Sequence, residues 1–305
     1  MTKFICGSLT AKKINYAMIS VFSRRHPYLF FILSFTIIVS VLTLGVSSLV
    51  ALGKKSTNLE FGEKVGVVEI KGVISEAQHI TRALKRLRND DSIKAIVVRI
   101  DSPGGAVGPA QEIFSEILKT RKTKKVVASF GSIAASGGYY VAAAADGIIA
   151  NPGTITGSIG VIMTFTNLQT LFEKIGMTPT VIKSGKYKDV GSPNRKMTAD
   201  EQQMLQKLVD GIRAQFVNAI ATGRNIAPAK VEPLADGRIF SGQEAKELGL
   251  IDKLGNFEDA IEWAGRLGGI KGKIETEYTT KDKYPFIRYL LESSFNTLVN
   301  RLLGP

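Results

Sequence analysis

The chain has 305 residues, 44% hydrophobic and 22% charged, which suits a membrane or targeting segment plus one fair-sized folded domain. Its single cysteine, Cys6, excludes an internal disulfide, and with no Cys-x-x-Cys pair or His/Cys cluster a structural zinc site is excluded too. Net charge is +13, but residues 1–55 hold +7 of it (Lys3, Lys12, Lys13, Arg24, Arg25, Lys54 and Lys55, with no acid), so the charge flanks an apolar run and does not mark a nucleic-acid surface.

That run, residues 27–52, carries no charge. As a helix it would be roughly 39 Å long, enough to cross a ~30 Å hydrocarbon core with some tilt. A cleaved signal peptide is the alternative, but its charged region would be unusually long and no convincing small-x-small site precedes Lys54. Residues 1–26 therefore read as a basic cytoplasmic tail, 27–52 as an uncleaved anchor and 53–64 as a linker, with the main domain on the far side of the membrane.

From Lys64 strands and helices alternate. Val65–Ile70 reads as a buried strand. Ser75 and Gln78 have capping-box spacing before a helix with an Ile80, Leu84, Leu87 stripe. Ala95–Ile100 is a second strand, ending in the tight loop Ser102-Pro103-Gly104-Gly105, and Pro109 suits the first turn of a helix to about Lys119. Val126–Phe130 and Gly147–Ala150 follow as strands, and Thr156–Val161 leads into a fifth. Leu168–Ile175 reads as a helix and Pro179–Ile182 as another strand. Thr198 and Glu201 cap a long helix with Leu205, Leu208, Ile212, Phe216 and Ile220 on one face, ended by Gly223 and Pro228. Ser241 and Glu244 open a further helix, closed by Gly249. This alternation means an α/β core over 65–270, and within the tail, 271–305, residues 284–303 look amphipathic.

Between the third strand and the helix-compatible stretch after it lies GSIAASGGYY, residues 131–140. A serine at such a bend, Ser136, points out of the fold, and Gly137 and Gly138 let another backbone come close. The chain has two histidines, His26 beside the apolar run and His79 at a boundary or solvated helix position, so a Ser-His-Asp triad is improbable. Carboxylates are weak bases for an alcohol, which leaves lysine. Its amine must be neutral, and bringing a pKa of ~10.4 to about 7 costs roughly 4–5 kcal/mol, so the base belongs in a closed, partly apolar site. Lys183-Ser184-Gly185-Lys186-Tyr187-Lys188-Asp189 is the richest source of candidates; it lacks the pattern of a phosphate-binding loop. Gly104 and Gly105, at a strand's carboxyl end, can leave N–H groups free to face an oxyanion.

DSPGG at 101–105, GSIAASGGYY at 131–140, TGSIGV at 156–161 and SGKYKDVGSP at 184–193, in this order, resemble the signal peptide peptidase A family of membrane-bound serine–lysine proteases, in its short single-domain form. The resemblance covers about Lys64 to Ile270. It implies the Clp protease/crotonase-like α/β fold of stacked β-β-α units, preceded by one N-terminal transmembrane helix. It implies Ser136 as nucleophile, Lys188 as general base, Ser158 as the lysine-orienting hydroxyl, and an oxyanion hole from the Gly137 N–H and that of Gly104 or Gly105. It also implies a ring-shaped homo-oligomer in which serine and lysine can come from adjacent subunits. Substrates would be apolar peptides such as cleaved signal peptides, with no metal or other cofactor and no nucleic acid as partner. The location implied is the bacterial inner membrane, single-pass, with the N-terminus cytoplasmic and the catalytic domain outside. A catalytically inactive scaffold of the same fold is the competing reading; acyl-CoA chemistry is a more distant one, at odds with an external domain.

Overall fold

The computed structural model describes residues 26–56 and 63–279. Most of the basic tail with Cys6, linker residues 57–62 and the amphipathic stretch 284–303 lie outside the described residues. The chain divides into two units, residues 1–60 and 61–305.

In the first unit, helix α1 spans Pro27–Ser56. Its Pro27–Gly45 part is long and apolar enough to cross a membrane, and none of it is buried. The Thr36 and Thr43 hydroxyls donate back to the Ile32 and Val39 carbonyls at 2.8 and 2.9 Å, so these two polar groups within the run are satisfied by the helix itself.

The second unit is built on an eight-stranded sheet. In chain order it contains β1 (Lys64–Lys71), α2 (Gln78–Arg88), β2 (Ile93–Ser102), α3 (Val107–Arg121), β3 (Lys125–Ala135), α4 (Gly137–Ala142), β4 (Gly147–Ala150), β5 (Ile155–Gly157), α5 (Gln169–Lys174), α6 (Ala199–Arg224), α7 (Pro228–Val231), a 3₁₀ turn (Glu232–Leu234), β6 (Ile239–Ser241), α8 (Gly242–Glu247), β7 (Lys253–Leu254), α9 (Phe257–Leu267) and β8 (Glu275–Tyr278). The main path is β6-β5-β3-β2-β1-β8, parallel except for β5 with β6. Strand β3 forks: Val127–Ser129 pair with β4, and Ile133–Ala135 pair with β5.

Period-two alternation sorts the sheet's side chains between two cores. On β2, Ile96, Val98 and Ile100 join the larger core under α2, α3, α4 and α6, whereas Ala95 and Val97 join Val65, Val127 and Ile149 beneath Ala260, Ile261 and Ala264 of α9. Leu84 and Leu87 of the α2 stripe are fully buried, each worth about 1.5–3 kcal/mol against exposure. Both faces being covered is why β1 to β3 read as continuous apolar runs.

Several expectations need correction. Helix α2 begins at Gln78 with Ala77 at its N-cap and no side-chain cap, so Ser75 and Gln78 form no capping box. Ile74 is tied to the 104–106 loop through Ile74 N–H to Gly104 O and Ala106 N–H to Ile74 O, which holds the chain extended just before Ser75. The fifth strand is Ile155–Gly157 alone, because Ser158 turns out of it at φ 50°. Pro179–Ile182 forms no strand; it pairs with no other strand, and Ile182 is 97% exposed. Of the α6 stripe, Phe216 and Ile220 are buried while Leu208 is exposed. Gly223 lies inside α6, where a Cβ would meet Ala143 O at 2.1 Å; the helix stops at Asn225 in the left-handed region. The capping boxes at Thr198/Glu201 and Ser241/Glu244 are present.

Candidate active site

Ser136 sits between the end of β3 and the start of α4 with φ 51° and ψ −120°, a strained conformation for a residue with a Cβ. Its surroundings impose it. Its N–H donates to Gly157 O at 2.9 Å, and its carbonyl accepts the Tyr140 N–H at 2.9 Å. The buried Thr154 and Thr156 hydroxyls donate to Gly131 O and Ala134 O at 2.8 and 2.7 Å, bracing β3 just upstream. One residue of β2, Asp101, lies opposite three of β3, Gly131 to Ile133. Its carboxylate accepts the Ile133 N–H at 3.1 Å and occupies the space a Cβ on Gly131 would need. Helix α4 is wholly buried. Tyr139 donates its hydroxyl to Leu250 O at 2.8 Å, and burial pushes its acidity well below that of an ordinary phenol. Tyr140 packs between Phe114 and Phe216, with ring centroids 5.2 and 4.8 Å away. Ser136, just before it, is half-buried and lines a cleft.

The loop after β2 comes up against this bend. Gly104 has φ 103°, and its N–H donates to the Ser102 hydroxyl at 3.1 Å. A Cβ there would lie 2.6 Å from Gly137 N and 2.8 Å from the Ser136 Cβ, so the absence of a side chain is what allows the close approach. The N–H groups of Gly105 and Gly137 donate to no acceptor among the described residues, and a Cβ on Gly137 would lie 3.2 Å from Gly105 N. Two unengaged donors thus stand together beside Ser136.

Ser136, Gly105 and Ser158 line one cleft of about 760 Å³ with the apolar Pro103, Val107, Val161, Ile162, Pro233 and Ala235. Ser158 has φ 50° and donates its N–H to Arg238 O at 2.7 Å. The charges in the cleft wall cancel locally: Arg213 pairs with Glu232, and Asp236 with Arg238, whose hydrogen bonds bring the Asp236 carboxyl down to about 2. The cleft therefore has apolar walls and locally neutralised charge.

Lys188 does not line that cleft. It lies on an exposed turn whose lysines differ sharply. Lys183 pairs with Asp189 at 2.6 Å and Lys186 with Asp200 at 2.6 Å. Lys188 makes neither a hydrogen bond nor an ion pair through its amine among the described residues.

The family model of Peptidase family S49 matches residues 119–271, and that of Clp protease matches residues 67–154. Over 245 residues the chain is 46% identical to "Putative protease slr0021" of Synechocystis, covering 79% of this chain and 88% of that one. The chain belongs to peptidase family S49. It is 37% identical to "Putative signal peptide peptidase SppA" of Enterococcus faecium, across 66% of this chain and 62% of that one. To "Serine protease SPPA, chloroplastic" of Arabidopsis thaliana it is 35% identical, across 67% and 31%.

As an S49 serine protease with a Clp protease-like fold, the chain brings Ser136, Gly137, Gly104, Gly105 and Ser158 together and leaves Lys188 apart. Sequence reasoning missed the braces of this site. Thr154 and Thr156 lie two apart and so share a strand face, a pattern that was available. Asp101 and Arg195 left no comparable signal, because Asp101 meets a residue 32 positions away and Arg195 meets partners six positions away on either side, a spacing that marks no helical neighbour.

Proposed function

We propose that this chain is a membrane-anchored serine endopeptidase that cleaves extended apolar peptides, spent signal peptides among them, with Ser136 as nucleophile and Lys188 of a neighbouring copy as general base. The observation that carries the reading is the strained Ser136 turn with the unengaged Gly105 and Gly137 N–H groups beside it. Gly105, whose N–H is unengaged, suits the oxyanion role; Gly104, whose N–H is taken by Ser102, supplies clearance. Lys188 is the one lysine of its turn whose amine is unengaged. The segment leading to it exposes Ile162 (88%), Phe165, Met177 and Ile182 (97%), an apolar surface that a second copy would cover while bringing Lys188 to a neighbour's cleft. Clp-like folds commonly form rings, which supports that arrangement. Helix α1 would anchor the ring, the basic amino side remaining in the cytoplasm.

In the reaction, the neutral Lys188 amine takes the Ser136 hydroxyl proton as Oγ bonds to the scissile carbonyl carbon. The oxyanion forms against the Gly105 and Gly137 N–H groups. The C–N bond then breaks, and the lysine ammonium returns its proton to the leaving amine. Water, deprotonated by the same amine, attacks the acyl-enzyme, and Ser136 is released with its proton restored. Ser158 orients the amine from the cleft wall, and no metal or organic cofactor takes part.

The test is hydrolysis of a fluorogenic apolar peptide by detergent-solubilised protein. Ser136→Ala and Lys188→Ala should each abolish turnover, and Lys186→Ala should keep most of it. Oligomers reassembled from a mixture of the two inactive variants should recover part of the activity, since some sites then pair an intact serine with an intact lysine. Turnover that survives Lys188→Ala removes that residue as the base; no recovery in the mixture places both residues in one chain.

A further inference from the structure

The turn that carries Lys188 is cross-linked on both sides. Lys183 Nζ donates to Lys186 O at 3.0 Å and to Asp189 Oδ1 at 2.6 Å, bracketing the residues between. Arg195 grips Asp189 from the other side, Nε to Oδ2 at 2.9 Å and Nη2 to the backbone carbonyl at 3.4 Å. The same guanidinium meets Glu201 in a two-pronged pair, at 2.8 and 2.6 Å. Glu201 is in turn fixed at the start of α6 by its capping box: it accepts the Thr198 N–H at 2.9 Å and gives its own N–H to the Thr198 hydroxyl at 3.2 Å. The chain of contacts runs inward, from Lys183 to an Asp189 side chain 12% exposed and a Glu201 3% exposed. Neither acid contacts Lys188, although Asp189 is its covalent neighbour.

We infer that Arg195 and Glu201 are positioning residues for the general base: they hold the Asp189 carboxylate against the start of α6 and away from the Lys188 amine. This rests on the reading of Lys188 as base. A carboxylate free to fold back onto that amine would favour its charged form, which cannot accept the serine proton. The groups facing the turn are Lys183, Lys186 and Tyr187 on the turn itself, Arg195 in the following loop, and Asp200 and Glu201 on α6. The cations Lys183, Lys186 and Arg195 pair with Asp189, Asp200 and Glu201. Hydrogen bonds from Arg195, then Lys183, hold the Asp189 carboxyl well below the usual carboxylate range, which keeps it the ion-pair partner throughout the working pH range.

The experiment is a pH profile of kcat/KM on the full-length protein with the same fluorogenic peptide. Arg195→Met should lower kcat/KM at neutral pH by about tenfold and move the acid limb up by about one pH unit, the size expected for one carboxylate near one amine. The double variant, Arg195→Met with Asp189→Asn, should return the limb to its wild-type position, since no stray carboxylate remains. Arg195→Lys should restore the rate only in part, lacking the two-pronged geometry. A rate loss in Arg195→Met with an unmoved limb, or a limb that the double variant fails to restore, overturns the inference and leaves Arg195 a merely structural contact. Lys188→Ala, run alongside, separates the two failures: activity there sinks the base assignment itself, whereas inactivity with an unmoved Arg195→Met limb sinks the positioning role alone.

Discussion

Ser136 and Lys188 are held by opposite means. The serine side is built from buried matter: a forked strand, two braced threonine hydroxyls, a helix with every residue buried, and glycines whose missing side chains set the approach of two loops. The lysine side is held by ion pairs on an exposed turn among apolar side chains with no cover. The serine half is finished within a single chain; under the proposed function the lysine half takes its final environment from a neighbouring copy.

The sharpest break to this contrast is Gly104→Ala. The added methyl would fall 2.6 Å from Gly137 N and 2.8 Å from the Ser136 Cβ, at a φ of 103° that side chains rarely adopt. It pushes the loop, and the Gly105 N–H it carries, away from the Gly137 N–H. Turnover should fall by roughly 10²–10³-fold, the scale of losing an oxyanion donor. Peptide hydrolysis by Gly104→Ala, compared with Ser136→Ala as the floor, measures it. Activity within a few-fold of wild type would mean that the close approach is dispensable.

A smaller effect on the same side comes from Tyr139→Phe. It removes only the hydroxyl donated to Leu250 O, deep beneath the serine turn. A net hydrogen bond of this kind is worth about 1 kcal/mol, or ~2–4 °C of Tm in a domain of this size. The midpoint of thermal unfolding should drop by about that much. No drop would show that α4 is held by its ring packing alone.

The contrast also explains what could be read in the residues and what could not. The sheet was legible because burial on both faces writes itself as apolar runs, and β4 was found with its bounds intact at Gly147–Ala150. The Ser136 turn was legible because only small residues fit between two backbones. The strand expected at Pro179–Ile182 was not there, since apolar, β-rich composition looks the same whether a strand pairs in a sheet or a segment lies uncovered on the surface. Helix α9 opens on an Asn256/Asp259 capping box in place of the Ser/Thr-x-x-Glu/Gln form, and β8, only four residues long, pairs with β1 from the far end of the domain, so neither stood out. The sorting of the three lysines was equally hidden. It depends on Asp200, Arg195 and Glu201, whose proximity is a fact of the fold and not of spacing.

The gentlest test of the comparison uses acid. Arg195 and the Thr198 N–H hold the Glu201 carboxyl at about 2, against 4.5 when unperturbed. A depressed carboxyl contributes stability that is complete above its unfolded value and is lost as pH falls through its folded one. The clamp on the lysine turn should therefore weaken between about pH 4.5 and pH 2, while the segment leading into the serine turn, held mainly by backbone and hydroxyl bonds with single carboxylate contacts from Asp101 to Ile133 N–H and from Asp146 to Val126 N–H, should not follow it. Amide hydrogen exchange, corrected for its intrinsic pH dependence, should show residues 183–201 losing protection over that window while residues 126–142 keep theirs. Parallel loss in both segments would mean that the two turns unfold as one cooperative unit, and that the division between a core-built serine turn and a charge-held lysine turn does not extend to their stability.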